Sequence, residues 1–240
     1  MFKPNSPLLN FPSNLDRRQA FFLDGMRHAF EISDYAFDRL TKSLSELAKL
    51  HSEGGRPSGY GKYYLDAWAF VDSVDRLLVL WKMQPNTDGI PDRWNPVGLR
   101  QELSAIRDVR NVMDHLAQRA EQVLSSGTAA MGELSWINVT SVDPPVMKSY
   151  LIRPGFLNSL NKLQLNIPKR ELIVRNGSAN LLLKAHTHTA DLSLAYVRMA
   201  DLAVYVEESA RLSFSATQSG TVIGGDLIAA CDLVFPKVGD

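Results

Sequence analysis

Apolar residues recur every three or four positions along residues 99–124, a stretch without internal Gly or Pro. This spacing predicts one amphipathic helix. Arg110 falls within the apolar stripe, and Asn111 and His115 lie on its flank. Burying a guanidinium costs several kcal/mol unless it is paired, so Arg110 needs a partner or a function. The stripe consists of Leu99, Leu103, Ile106, Met113, Leu116, Ala120 and Val123.

Two further helical patterns precede this motif helix. Residues 16–51 repeat apolar positions at helical spacing, and Ser33-Asp34 leaves open whether they form one long helix or two joined by a kink. Residues 63–83 are apolar nearly all round, which is typical of a helix at the centre of a bundle. We therefore predict an extended arm over residues 1–15, where there are three prolines, and a helical bundle over residues 16–126.

The pattern changes after residue 126. Four short β-type runs, at 134–140, 146–153, 171–175 and 179–186, are separated by Pro- and Gly-containing turns, and Asn176-Gly177 predicts a hairpin. We expect a β-rich insertion over 127–189, a closing bundle helix over 190–212 with N-caps before it, and an uncertain tail over 213–240 with one strand or short helix at 221–235. The fold class is α+β, mainly α: a helical bundle with an antiparallel β-sheet inserted before a closing helix.

Composition limits the possible functions. The 240 residues contain 26 basic and 26 acidic side chains, so the formal net charge is zero. A protein that coats nucleic acid by counterion release usually has a basic excess, which argues against that class. Cys231 is the single cysteine, which excludes an internal disulfide and suits the cytoplasm. Its apolar neighbours predict a small buried side chain. No apolar run is long enough for a membrane span, so we expect no membrane association.

The polar residues of the motif helix suit phosphate chemistry. Asn111 and His115 are four residues apart and share a face, and the long side chain of Arg110 can reach the same cleft. A guanidinium holds a phosphoryl group bidentately, and an imidazole moves protons near neutral pH. Aspartates are candidates to order Arg110: Asp72 on the central helix and Asp114 within the motif. An alternative is that Asp72 pairs only with Arg76 or a lysine.

The pattern Arg110-Asn111-x-x-x-His115 resembles the signature of the HEPN superfamily (higher eukaryotes and prokaryotes nucleotide-binding), whose members are helical bundles. The resemblance covers roughly the first half of the chain. It implies a metal-independent endoribonuclease, without a cofactor, in a toxin–antitoxin or defence system. It also implies RNA as the substrate, a homodimer formed through the motif helix, and an antitoxin partner. His115 would then transfer protons, Arg110 would stabilise the phosphorane, and Asn111 would hold either His115 or the phosphate in register.

Two other functions remain open from the sequence. The same bundle could be a non-catalytic nucleotide-binding or protein-interaction module, in which Arg110 and His115 serve packing, dimer contacts or phosphate recognition. A weaker alternative is a metal enzyme, because His186-x-His188 on a strand would place both imidazoles on one side. No Gly-rich phosphate loop and no Gly-x-Ser-x-Gly elbow is present, which argues against kinase, dehydrogenase and α/β-hydrolase functions.

Overall fold

The computed structural model describes residues 1–85, 89–125, 129–142, 145–153, 172–215, 222–223, 226 and 230. They form a mainly helical α+β fold with an antiparallel sheet before the last long helix, which confirms the predicted fold class. Cys231 and most of the tail predicted at 213–240 lie outside the described residues.

The two longest helices of the first half pack side by side. Helix α1 runs from Arg17 to Ser52 without interruption, so the open question of one helix or two is answered in favour of one. Asp16 caps it by accepting hydrogen bonds from the amides of Arg18 and Gln19. Helix α2, Gly61–Met83, is buried on most sides, as expected for the central helix.

The motif stretch forms three helices, so the prediction of one continuous helix is wrong. They are α3 (Pro96–Glu102), α4 (Ser104–Asp114) and α5 (Leu116–Ser125). At the two breaks, Leu103 and His115, the backbone enters the bridge region with ψ of 19° and 24°.

The spacing of the buried residues explains the break. The core side of α4 is formed by Ile106, Val109 and Val112, whereas Met113, predicted within the stripe, is only partly buried. A three-residue spacing falls about 60° short of a full turn at each step, so the apolar stripe drifts around a straight helix. Beyond His115 it no longer faces the core, and of the predicted stripe residues in α5 only Val123 is fully buried.

Within the described residues, five strands form the antiparallel sheet. They are β2 (Glu133–Val142), β3 (Pro145–Ile152), β4 (Val174–Arg175), β5 (Ser178–Ala185) and β6 (His188–Asp191). The order is β3-β2-β5, and β4 and β6 pair with opposite halves of the other edge of β5. Asn176 and Gly177 have φ of 51° and 78°, which confirms the predicted Asn-Gly hairpin between β4 and β5.

The segment before the last helix differs from its prediction. Residues 188–191, expected to supply only N-caps, form strand β6. Asp191 nevertheless caps helix α6 (Leu192–Ser215), because its side chain accepts a hydrogen bond from the amide of Leu194 at 2.8 Å. Asp191 therefore both pairs with β5 at the end of β6 and caps the start of α6.

The N-terminal segment also pairs with a segment late in the chain. Strand β1 (Phe11–Pro12), within the predicted arm, pairs with β7 (Val222–Ile223) in a second small sheet. The main core lies between α1, α2, α4, α6 and one face of the five-stranded sheet. Its largest fully buried side chains include Phe30, Leu40, Phe70, Leu77, Ile106, Leu134, Trp136 and Leu181.

Candidate functional site

Arg110 lies in a cluster of carboxylates between α4 and α2. Its Nη1 donates to Asp75 Oδ2 at 2.7 Å, and its Nε donates to Asp72 Oδ1 at 3.0 Å. Its Nη2 lies 3.7 Å from Asp114 Oδ2, one turn further along α4. Each nitrogen of the guanidinium therefore faces a different carboxylate, which we call the Arg110 clamp. The structure thus brings Arg110 together with Asp72 and Asp114, the two candidate supporting acids.

Burial differs among the partners of the Arg110 clamp. The side chain of Asp75 is 3% exposed, whereas that of Arg110 is 30% exposed and that of Asp72 is 39% exposed. Asp72 also accepts from Arg76 Nε at 2.7 Å, so the surface pairing with Arg76 is present as well. Asp75, which the sequence analysis did not single out, is the buried acid that depends on Arg110.

The electrostatics of the Arg110 clamp hold the guanidinium charged. Burial alone lowers the pKa of Arg110, but Asp114, Asp75 and Asp72 outweigh it and raise that pKa above its ordinary value. Three carboxylates share two guanidinium groups, those of Arg110 and Arg76, so the local formal charge is negative. A phosphate approaching Arg110 would meet this negative field as well as the guanidinium.

A groove of about 640 Å³ lies beside the Arg110 clamp. Its wall is apolar, and Asp72, Arg110 and Asp114 form a polar part of its lining. Leu65 is 63% exposed and Met131 is 42% exposed, so water covers much of this apolar surface. The apolar wall includes Tyr64, Leu65, Trp68, Met113 and Met131.

Below the groove, Tyr64 joins α2 to the sheet. Its hydroxyl lies 3.1 Å from the Gly132 carbonyl oxygen and 3.2 Å from that of Ile152. Burial, followed by the negative charge of Glu133, raises the pKa of Tyr64 well above its ordinary value. Tyr64 is therefore a neutral hydrogen-bond donor that links the wall of the groove to the sheet.

Asn111 and His115 lie apart from this groove. Among the described residues, its lining includes Arg110 but neither Asn111 nor His115. Asn111 is partly buried, and His115 is exposed at the break between α4 and α5, where its amide hydrogen-bonds to the Asn111 carbonyl. The three motif side chains therefore do not line one cleft, as the sequence had led us to expect.

Arg107 is a candidate that the sequence pattern missed. It lies one turn before Asn111 and two turns before His115, at a spacing of four residues. Its Nη1 is buried and has no hydrogen-bond partner among the described residues. The signal in the sequence is this i, i+4, i+8 line, which the Arg110-to-His115 motif does not include.

The His-x-His strand that the metal-enzyme alternative requires is not formed. His186 has φ of 52° in the turn between β5 and β6, and His188 begins β6 with its Nδ1 4.0 Å from Asp108 Oδ2. The two imidazoles therefore do not lie on one strand face, and within the described part of the chain they belong to no group of three close metal-ligating residues.

Another group, Asp24, His28 and Asp226, has ligand atoms close enough to surround a cation. Arg27 already supplies the cation there. Its Nη2 lies 2.6 Å from His28 Nε2, 2.7 Å from Asp226 Oδ1 and 2.9 Å from Asp24 Oδ1. The guanidinium occupies the position that a metal ion would need.

Comparisons with family models, with curated proteins and with solved structures find no match to this chain. The HEPN resemblance therefore depends on the motif residues and on the order of helices in the first half of the chain. Of the helices in the described residues, none is both long enough and apolar enough to cross a bilayer.

Proposed function

We propose that this chain is a HEPN-like, non-catalytic interaction module that pairs with a second copy of itself through the groove between α2 and α4. The observation that carries the proposal is the Arg110 clamp. All three guanidinium nitrogens face carboxylates, and the local charge is negative. Arg110 is therefore best suited to a structural role, in which it holds α4 against α2 beside the groove.

The groove suits a second copy of this chain as its occupant. Exposed apolar side chains, Leu65 and Met131, form its wall. Exposed charges of both signs stand beside it: Arg76 is 68% exposed and Asp114 is 49% exposed. A two-fold axis brings one face against itself, so a surface with both signs can pair Arg76 of each copy with Asp114 of the other. The HEPN resemblance independently implies a dimer through the motif helix.

The oligomeric state tests this proposal. We expect the wild-type chain to be dimeric in analytical ultracentrifugation, with a mass that falls on dilution. Leu65→Asp should shift it towards a monomer because a charge would be buried at the interface. Leu212→Asp is the matched control, since Leu212 is 65% exposed on α6, and it should stay dimeric.

A monomeric wild type at all concentrations contradicts the proposal, as does a dimer that Leu65→Asp leaves intact. The antitoxin partner implied by the resemblance is the other occupant that this experiment can reveal. In that case the chain would be monomeric by itself. It would form a complex with the antitoxin, and Leu65→Asp would dissociate that complex. A cytoplasmic location, expected from the single cysteine, stays a prediction.

A metal-independent endoribonuclease is the second candidate, and the exposure of His115 favours it. In that reaction a ribose 2′-hydroxyl attacks the adjacent phosphorus and loses its proton to a base, and the bond to the 5′ oxygen breaks as that oxygen gains a proton. The product carries a 2′,3′-cyclic phosphate. His115 is exposed to solvent, but Arg110 would have to leave its carboxylates to stabilise the phosphorane.

Incubation with mixed RNA in EDTA distinguishes the two candidates. His115→Ala is the informative variant, because an exposed side chain can be removed without loss of the fold. His51→Ala, which removes another exposed imidazole, is its control. The interaction module predicts no cleavage by any sample. Cleavage with cyclic-phosphate ends that only His115→Ala abolishes would establish the ribonuclease instead.

A further inference from the structure

Strand β3 forms an open edge of the five-stranded sheet. One side of β3 pairs with β2 along its whole length, and no described strand pairs with its other side. The opposite edge of the sheet, on β5, is covered by β4 and β6. Residues 146–149 are all exposed, and two of them are apolar: Val146 is 44% exposed and Met147 is 47% exposed. An edge of this kind is a template for pairing with a further strand.

Strand β3 has few of the features that usually prevent a sheet edge from pairing. Such edges are commonly very short, bulged, or interrupted by prolines and charges. β3 is eight residues long, and its proline is the first residue, where a missing N–H is tolerated. The bulge between β2 and β3 adds its extra residue, Thr140, to β2 and leaves β3 continuous. Lys148 is the single charged side chain of β3, so a pairing strand has one charge to accommodate.

The sequence of β3 is complementary to itself about Ser149. In an antiparallel pair, opposite side chains lie on the same face of the sheet, and faces alternate along each strand. A strand that pairs with its own copy must therefore have the two-fold axis at a residue and not between two residues. An axis at Ser149 places apolar side chains opposite apolar ones and keeps the lysine away from its own copy. The opposed pairs are Val146 with Ile152, Met147 with Leu151, and Lys148 with Tyr150 of the other copy.

The neighbouring registers are less favourable. An axis at Lys148 would bring the two ammonium groups together, and like charges directly opposite each other are destabilising. An axis at Tyr150 would place Lys148 opposite Ile152 and Ser149 opposite Leu151, so polar side chains would face apolar ones. The pattern of β3 therefore favours a second copy of the same strand, in the register centred on Ser149.

The geometry points to β3 as a self-association surface at which two copies pair antiparallel about Ser149 and join their sheets into one. This pairing covers Val146 and Met147, the exposed apolar side chains of the strand. Two edges of seven residues form a small interface, which is typical of weak association. We therefore expect the pairing at higher protein concentrations than the groove dimer, which it would join into larger assemblies. The two surfaces are separate, because the described lining of the groove contains no residue of β3.

Disulfide trapping in the full-length protein tests this register. In a Cys231→Ser background, Ser149→Cys places one thiol of each chain at the two-fold axis. Directly opposite residues have Cα atoms about 4.5–5.5 Å apart, within the range of about 4.4–6.8 Å that a disulfide spans. Met147→Cys is the matched control on the same face, because the two copies of residue 147 would lie more than about 13 Å apart. In mild oxidant, Ser149→Cys should form a covalent dimer at least about tenfold faster than Met147→Cys.

Two results overturn the proposal. Ser149→Cys could stay monomeric under oxidation, or it could form a covalent dimer no faster than Met147→Cys. An edge that pairs with an extended segment of a different protein, and not with its own copy, would give the first of these results.

Sedimentation separates this surface from the groove. Leu65→Asp, which should break the groove dimer, should still associate at high concentration through β3. Adding Met147→Asp should abolish that association, because the new charge would lie opposite an apolar side chain. Adding Val204→Asp, at a position that is 67% exposed on α6, should leave it unchanged. Association that persists with Met147→Asp contradicts the β3 surface. Trapping at residue 149 in a chain that forms no groove dimer contradicts only the function proposed above.

Discussion

Arg110 Nη1 and Asp75 Oδ2 form an ion pair of 2.7 Å in which the carboxylate is almost completely buried and the guanidinium is not. This asymmetry determines how the pair behaves under mutation. Removal of the arginine leaves a buried charge without compensation, whereas removal of the aspartate leaves an arginine that still binds Asp72 and can reach water.

Arg110→Ala should lower the free energy of unfolding by about 2–4 kcal/mol. A fully buried pair loses about 3–5 kcal/mol when one partner is removed, and the partial exposure of Arg110 reduces this cost. Urea unfolding followed by circular dichroism measures the change. Arg76→Ala, which breaks the exposed pair with Asp72, is the control and should cost less than about 1 kcal/mol. Equal losses in both variants would contradict a structural role of the Arg110 clamp.

The pair of Arg110 and Asp75 should show strong coupling in a double-mutant cycle. Asp75→Asn removes the buried charge, so Arg110→Ala should cost less in that background by about 1–3 kcal/mol. Urea unfolding of the four proteins gives the coupling energy. Additive effects would mean that another group neutralises Asp75.

The partners of Arg110 were only partly predictable from the sequence. The helical spacing placed Asp72 and Asp75 on one face of α2, and an unpaired guanidinium at a half-buried position required an acid. Which acid is buried depends on the angle and distance between α2 and α4, which no local pattern encodes. Asp72 was therefore named, whereas Asp75, the buried partner, was not.

The helix breaks and strand β6 were likewise not predictable from the local sequence. No Gly or Pro occurs at Leu103 or His115 to mark the breaks in the sequence. The motif stretch bends where it does because Ile106, Val109 and Val112 pack against the core. Residues 188–191 contain good N-cap residues, and their pairing with β5 comes from residues close in space. The Asn176-Gly177 hairpin was predictable because both residues favour the positive φ that its turn requires.

The ion pair of Asp38 with Arg175 should make stability depend on pH in the acid range. Hydrogen bonding from Arg175 lowers the pKa of Asp38, so the pair stabilises the fold above the ordinary carboxyl pKa of about 4 and loses this effect as pH falls through the lower folded value. Asp38→Asn should therefore be less stable than wild type at pH 6, by about 0.5–1 kcal/mol because Asp38 is half-exposed. Thermal unfolding between pH 2 and 6 should show the two curves converging at the acid end. A constant difference would rule out titration of Asp38 as the cause.

Tyr64→Phe should destabilise the protein less at alkaline pH than at neutral pH. At pH 7 the loss of the hydroxyl, whose one hydrogen is donated to the Gly132 or the Ile152 carbonyl oxygen, should cost about 0.5–1.5 kcal/mol. The folded pKa of Tyr64 is raised, so wild type loses stability as pH rises above the ordinary tyrosine value of about 10, and the phenylalanine variant lacks this loss. Unfolding curves at pH 7 and pH 11 should show the difference shrink or reverse. Tyr60→Phe, at an exposed position before α2, should match wild type at both values.

Gly132 should tolerate no side chain, because it lies close to the backbone of β5, with which the following strand β2 pairs. Its φ is 81°, and a Cβ there would lie 2.5 Å from the Lys184 carbonyl oxygen, a backbone atom that cannot rotate away. Gly132→Ala should therefore lower the free energy of unfolding by more than about 2 kcal/mol, through a strained φ and a displaced strand. It should also disturb the groove, since the Gly132 carbonyl oxygen accepts a hydrogen bond from the Tyr64 hydroxyl and Met131 lies in the groove wall. Gly59→Ala is the control, because its Cβ would meet open space at an ordinary φ and should change stability by less than about 1 kcal/mol. If Gly132→Ala abolishes self-association while Gly59→Ala preserves it, the shape of the α2–α4 groove depends on the sheet. If Gly132→Ala still associates, the two helices form the groove without help from the sheet.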